Sequence, residues 1–149
     1  MFFNDRLTPV RPVGFLSLDV FRRGKLIEIY RGQNLVVDTY KLLHARLIGG
    51  DVTDRSVTQI GFGTNGTAPA AGNTALTGAF IKDVDTITFP QTNQVQFNFS
   101  LGTGEANGLA ILEFGLITEN GTLYARRVRS AALNKASDIT LNGSWLITF

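Results

Sequence analysis

The stretch that decides the fold is QVQFNFSL, residues 94–101. Apolar and polar residues alternate through it without a break, which is the period of a strand with one face in the core and one face in solvent. Antiparallel sheets commonly bury only one of their faces in this way. The stretch therefore predicts an antiparallel, half-buried strand. Its core-facing positions are Val95, Phe97, Phe99 and Leu101.

The sequence DITLNGSWLITF, residues 138–149, repeats this alternation. Gly143 interrupts the apolar series, and a glycine inside a strand pattern is typical of a β-bulge. We therefore predict a second core-facing strand with a bulge at Gly143. The positions assigned to its core face are Ile139, Leu141, Trp145, Ile147 and Phe149.

Two turn signals and one helical segment complete the pattern. Arg23-Gly24 predicts the turn of a hairpin over residues 14–31, and Asn120-Gly121 predicts the turn of a hairpin over residues 109–128. Apolar residues at helical spacing predict one short helix over about residues 38–48.

We assign the N-cap of this helix to Asp38, since aspartate is a preferred N-cap residue. Strands joined by tight turns predict a mainly β fold, an antiparallel β-sandwich or barrel of about eight strands with one short helix. We expect residues 1–13 to form an N-terminal arm and residues 14–149 to form a single β-rich domain.

The composition excludes several classes of function. The chain has 149 residues, no cysteine and one histidine, His44, so disulfides, thiolate metal sites and a Ser-His-Asp triad are not expected. A formal net charge of +2 argues against nucleic acid as a partner, and no apolar run is long enough to predict a membrane span. Charged residues make up 17% of the chain, against roughly 25% in ordinary soluble domains. The low charge predicts that part of the surface contacts other proteins.

Gly61, Gly63 and Gly66 spell G-x-G-x-x-G, the pattern of a dinucleotide-binding loop. That pattern binds a pyrophosphate only where the glycine turn opens a helix. Here Pro69 and Gly72 follow and break any helix. We interpret the glycines as sharp turns and points of close approach, and we expect no cofactor.

The acidic residues are expected to have structural and not catalytic roles. Glu113 lies in an apolar strand where a charge is costly unless it is paired, and Arg126, Arg127 or Arg129 on the returning strand can supply the partner. Asp83 and Asp85 are expected on a solvated strand face. No nucleophile, metal set or cofactor loop is recognisable. We therefore predict no catalytic, cofactor-binding or metal-binding residues, no small-molecule substrate and no enzymatic activity.

Contact residues for other proteins are predicted in the N-terminal arm, at the turn of the first hairpin and in the segment 126–129. Phe2 and Phe3 lie in the N-terminal arm, which packs either on its own domain or on a neighbouring subunit. Arginine is enriched at protein interfaces. The arginines assigned to this role are Arg6, Arg22, Arg23, Arg126, Arg127 and Arg129.

Four stretches, taken in order, carry a resemblance to a known family. They are NLVVDTYKLLHARLIGGD (34–51), VTQIGFGTNGTAPAAGNTAL (57–76), AILEFGLITENGTLYARR (110–127) and LNKASDITLNGSWLITF (133–149). Together they resemble small virion structural proteins of tailed bacteriophages, in particular the N-terminal domain of tail-collar fibre proteins. A collar fibre continues into a long shaft, whereas this sequence stops at Phe149, so we expect a stand-alone component.

The resemblance implies a structural virion protein of the tail, baseplate or collar that is made in the cytoplasm of a bacterial host. It implies assembly with copies of itself, as a trimer or a ring, and with other virion proteins, including fibres or receptor-binding proteins. Two alternatives stay open: a capsid decoration (cement) protein, and a carbohydrate- or receptor-binding module.

Overall fold

The structure, a computed structural model, describes residues 10–149. Within this range the chain forms nine strands and one helix. In chain order these are β1 (Val13–Arg22), β2 (Lys25–Val36), α1 (Tyr40–Ile48), β3 (Val57–Gly63), β4 (Phe80–Asp83), β5 (Thr86–Thr88), β6 (Gln94–Leu101), β7 (Ala110–Thr118), β8 (Leu123–Asn134) and β9 (Ile139–Thr148).

All nine strands pair antiparallel in one curled half-barrel sheet, in the order β4-β3-β7-β8-β2-β1-β9-β6-β5. The two edge strands, β4 and β5, are consecutive in the chain. Val84 and Asp85 connect them, and their backbone N–H groups donate to the carbonyls of Thr58 on β3 (2.9 Å) and Asn98 on β6 (2.7 Å). The segment over residues 80–88 therefore runs along one edge of the sheet and then along the other. The predicted mainly β fold with one short helix is confirmed.

Both predicted hairpin turns are present. Arg22 pairs with Lys25 across the first, and the central residues Arg23 and Gly24 have φ angles of 51° and 78°. Positive φ at both central positions defines the type I′ turn that matches the twist of a hairpin. Gly121, in the turn between β7 and β8, has a φ of 91°.

The helix begins one residue later than its predicted cap requires. Its N-cap is Thr39, without a side-chain capping bond, so the assignment of Asp38 as N-cap is wrong. Arg11 Nη2 lies 2.6 Å from the Asp38 carboxylate, and this bond lowers the pKa of Asp38. Arg11, which is distant in sequence, thus binds the Asp38 side chain that the local pattern assigned to the helix cap.

The core lies on the inner face of the curled sheet, with α1 packed against it through Tyr40 and Leu43. The alternating apolar residues of β1, β6 and β9 all contribute to one cluster, together with the inner residues of β3, β7 and β8. Its members from β1, β6 and β9 are Leu16, Leu18, Val20, Phe97, Phe99, Leu101, Ile139, Leu141, Trp145 and Ile147.

The predicted bulge at Gly143 is wrong. β9 pairs with both β1 and β6 in unbroken register through this residue. A Cβ placed on Gly143 would lie 2.4 Å from the Phe99 ring and 2.8 Å from Leu18. The glycine therefore makes room for a ring in the core, without changing the course of the strand.

Phe149 is also not in the core, because it follows the last residue of β9 and is 58% exposed.

Candidate functional site

Glu113 and Arg126 form a buried ion pair beneath the segment that connects β3 to β4. Arg126 Nε donates to Glu113 Oε2 at 2.6 Å, and the two side chains are 2% and 0% exposed. The predicted ion pair between Glu113 and an arginine on the returning strand is confirmed. Buried charges are tolerated when they are paired and fully hydrogen-bonded, as here.

The remaining polar atoms of this pair hold the connecting segment, residues 64–79. Glu113 Oε1 accepts the backbone N–H groups of Thr77 (2.7 Å) and Asn65 (3.3 Å). Arg126 donates to the carbonyl of Asn65 and to the side chain of Asn73, both at 3.1 Å. The ion pair thus supplies hydrogen bonds to the backbone of a segment that has no paired strand among the described residues to provide them.

The three glycines of the G-x-G-x-x-G pattern belong to this arrangement. A Cβ on Gly63 would lie 2.4 Å from Glu113 Oε1, and one on Gly61 would lie 2.6 Å from Leu76. Gly66 leaves a looser gap, with Leu112 at 3.4 Å. The next element after β3 is β4, so no helix opens at these glycines. Gly61 and Gly63 therefore leave space for the side chains of Leu76 and Glu113, which hold the connecting segment on the sheet.

Two further arginines of β8 also act inside the chain. Arg127 Nε donates to the Tyr30 hydroxyl, and Arg129 Nη2 donates to Glu28 at 2.7 Å. Both guanidinium groups lie over the Tyr30 ring, at 5.5 and 5.0 Å from its centre. They fill the space between β2 and β8, which pair only at Leu35–Arg126 and Val36–Ala125.

This placement corrects the prediction that Arg126 and Arg129 contact other proteins, because both side chains are buried within the chain. The arginines of the first hairpin differ. The side chains of Arg22 and Arg23 are 53% and 84% exposed, with Asp138 at 3.5 and 3.8 Å, so they stay available for a partner. The remaining predicted contact residues, Phe2, Phe3 and Arg6, lie outside the described residues.

An apolar groove opens at one end of the half-barrel, with a cavity volume of about 460 Å³. Helix α1, the start of β3, the region from β5 to β6 and Phe149 form its walls. Phe89 and Phe149 are 76% and 58% exposed at this groove, although both are large and apolar. Its apolar lining includes Leu43, Leu47, Ile87, Phe89, Val95 and Phe149.

His44 lies in the wall of the groove and is held by aromatic neighbours. Its Nε2 is 3.0 Å from the Tyr124 hydroxyl, and its ring centre is 5.4 Å from that of Tyr40 and 5.5 Å from that of Phe149. Burial lowers the pKa of His44, so the imidazole is neutral at pH 7. Burial also raises the pKa of Tyr124, which keeps its proton. The charged Arg55 in the lining is bonded to Asp51 at 3.1 Å.

The groove was not predicted from the sequence. The walls of the groove come from segments separated by up to about a hundred residues. The local signal for the groove is that two large apolar residues, Phe89 and Phe149, directly follow the ends of β5 and β9.

A second, polar depression of about 270 Å³ lies on the outer face of the sheet. Arg31 is fixed there by bonds to Asp19 (3.0 Å) and to the carbonyl of Leu18 (2.9 Å). The half-exposed Phe15 lies two residues before Ser17, on the same face of β1. The polar residues that line the depression are Ser17, Asp19, Arg31, Gln96, Asn98, Asn142 and Ser144.

Among residues 10–149, no group of three or more His, Asp or Glu side chains is placed to hold a metal ion. In the same range, no helix has the length and apolar character to cross a membrane. Comparisons with protein-family models, with curated proteins and with solved structures gave no match.

Proposed function

We propose that this chain is a structural component of a tailed-bacteriophage virion, in the tail, baseplate or collar. In this role it assembles with copies of itself and with neighbouring virion proteins, and it attaches fibres or receptor-binding proteins. The apolar groove with the exposed Phe89 and Phe149 carries the proposal, because exposed apolar patches of this kind mark sites of protein contact.

Further exposed apolar side chains support a role in assembly. In the first hairpin, Leu26, Ile27 and Ile29 are 45%, 48% and 59% exposed. Residues 25–33 of β2 form no ladder with β8, and the side chains of Arg127 and Arg129 cover part of this edge by donating to Gln33 and Glu28. Exposed apolar side chains beside an incompletely paired strand edge favour contact with another chain.

The order of the four sequence stretches supports the assignment to a tailed phage. The second and third of these stretches include residues 65, 73, 113 and 126 of the ion-pair network beneath the 64–79 segment, and Thr77, its remaining member, directly follows the second stretch. The resembling motifs thus coincide with a connected structural unit, and Gly61 and Gly63 of the G-x-G motif are required by that unit.

Immunogold labelling of intact virions from the source tests this function. Antibody raised against the purified protein is expected to place gold on the tail or its tip, and antibody first absorbed with the same protein is expected to give none. Gold over the head would instead support the capsid decoration alternative.

Particles without gold, together with a positive signal from disrupted particles, would mean that the epitopes are covered in the virion. Particles without gold before and after disruption would overturn both virion functions. The carbohydrate- or receptor-binding alternative would then depend on the polar depression around Arg31 and Asn142.

A further inference from the structure

We propose that the apolar groove binds the N-terminal arm of a second copy of this chain, with Phe2 and Phe3 as its anchoring side chains. The inference deepens the proposed function and rests on it for the existence of an assembly. It assigns one particular contact within that assembly.

The lining of the groove favours an apolar occupant with few polar contacts. His44 and Tyr124 bond to each other at 3.0 Å, and Arg55 Nη2 donates to Asp51 at 3.1 Å, while the buried Nε of Arg55 has no hydrogen-bond partner among the described residues. The exposed rings of Phe89 and Phe149 offer partners for edge-to-face or stacked aromatic contacts. An aromatic anchor that fills an apolar pocket is the usual centre of a strong protein contact.

The described chain begins beside this groove. Val13 pairs with Thr148, the residue before Phe149. Arg11 is fixed at the first turn of α1, where it donates to the Val36 carbonyl at 2.6 Å and lies over the Tyr40 ring at 5.1 Å. Tyr40 is one helical turn from His44 in the groove wall. The arm therefore starts at the rim of the groove.

The length of the arm allows contact with the groove of a second copy. Nine residues precede Val10, and an extended chain of that length spans about 30 Å. Arg11 is anchored at two points, so the described chain is fixed where the arm begins. A neighbouring copy whose groove lies within about 30 Å of Arg11 is therefore within reach, and the assembly of the proposed function supplies such a neighbour.

Exchange of arms between equivalent grooves gives each copy one donor and one acceptor contact. Such head-to-tail contacts close into a ring when the rotation between copies allows it. This arrangement agrees with the trimer or ring implied by the resemblance.

A complementation experiment tests the contact. The arm variant carries Phe2→Ser and Phe3→Ser, and the groove variant carries Phe89→Ser at an exposed position that is not part of the core. We expect the wild-type chain to form an oligomer in light scattering coupled to size exclusion. Each variant alone is expected to have the mass of a monomer and an unfolding midpoint close to that of the wild type.

The mixture of the two variants decides the result. The arm variant retains an intact groove and the groove variant an intact arm, so a 1:1 mixture keeps one good contact and is expected to double in mass. An arm variant that still forms the wild-type oligomer, or a mixture that stays monomeric, would overturn the proposal. A monomeric wild type whose unfolding midpoint falls when Phe2 and Phe3 are replaced would show that the arm packs on its own chain.

These outcomes are independent of the immunogold result. Gold on the virion with a negative complementation experiment would leave the virion function in place and remove the arm contact. Successful complementation without gold on particles would leave a self-assembling protein of another kind.

Discussion

At the scale of single residues, His44 shows how the surroundings of a side chain set its chemistry. The sequence offers one histidine inside a helix, for which a surface or structural position is expected. The structure places it against Tyr40, Tyr124 and Phe149, and burial lowers its pKa. The neutral imidazole is part of an apolar wall.

This placement predicts a dependence of stability on pH. The unfolded histidine titrates near its ordinary pKa of about 6.5. Because the folded pKa is lower, the unfolded state binds the proton first as the pH falls, and the folded state loses stability below that pH. Stability is therefore full above about pH 6.5 and decreases toward the lower folded pKa. We expect the free energy of unfolding, measured with urea at a series of pH values from 8 to 5, to fall more steeply for the wild type than for His44→Gln.

The glutamine variant is the matched control, because its amide can still bond the Tyr124 hydroxyl but does not titrate. Carboxylates that titrate at lower pH are common to both proteins and cancel in the difference. Equal slopes for the two proteins would show that His44 is hydrated when folded, and the groove wall described above would then be wrong.

Residues whose role depends on distant partners were predicted less well than residues in regular patterns. Gly143 looks like a bulge in its own strand, yet it is a regular position that accommodates Phe99 from a neighbouring strand. Asp38 looks like a helix cap, yet Arg11 binds it. In both cases the contacting residue lies more than twenty residues away in sequence, so a local pattern cannot reveal it. The Glu113 pair was predictable because its partner lies across the adjacent hairpin.

At the scale of elements, the 64–79 segment shows how a long connection without regular structure is held on a sheet. Its Leu76 packs on Val37, Ile117 and Leu123, and its backbone is fastened by the buried carboxylate of Glu113. One carboxylate therefore satisfies two backbone donors and one guanidinium.

Replacement of Glu113 is expected to have a large effect on this element. Glu113→Ala leaves Arg126 charged and buried without its partner, and it leaves two backbone N–H groups unbonded. Loss of one member of a buried pair typically costs about 3–5 kcal/mol. We expect a loss of that size in the free energy of unfolding measured with urea, and faster amide hydrogen exchange at Thr77.

Glu119→Ala is the control, since Glu119 is exposed beside the turn between β7 and β8. A surface substitution of this kind changes stability by about 0.5 kcal/mol or less. A Glu113 variant that behaves like the Glu119 variant would contradict the burial of the pair and the register of β7 on β8.

The elements themselves could be predicted to very different degrees. Both hairpin turns and the strands at 94–101 and 138–149 follow from local signals, because alternation and positive-φ turns act over a few residues. The length of β2 was underestimated, since the strand continues past Arg31 to Val36 and pairs with β1 almost throughout. The groove depends on how α1, β5 and β6 meet after the sheet curls, and that meeting is set by contacts over the whole chain.

At the scale of the whole molecule, the question is whether the two halves of the curled sheet behave as one unit. β8 and β2 join the halves through only two residue pairs, and Val84 and Asp85 join the outer edges. Against these narrow backbone links stands a shared core, in which Phe62 and Phe114 from one half pack with Phe99 from the other. Burial of apolar surface, and not the ladder between β2 and β8, is therefore what connects the halves.

A shared core predicts that both halves unfold in one cooperative transition, as expected of the single β-rich domain inferred from the sequence. Trp145, the one tryptophan of the chain, is fully buried in β9 and reports the half that contains β1, β9 and β6. Far-ultraviolet circular dichroism reports all strands. In a urea titration the two signals are expected to give the same midpoint and the same slope, the criterion for a two-state transition. The Phe62→Leu variant, which trims the ring that joins Phe114 to Phe99, should shift both curves together to lower urea. If the circular dichroism instead showed a second step that the fluorescence of Trp145 did not follow, the β4-β3-β7-β8 half would be a separate cooperative unit, and the core would not be the element that holds the molecule together.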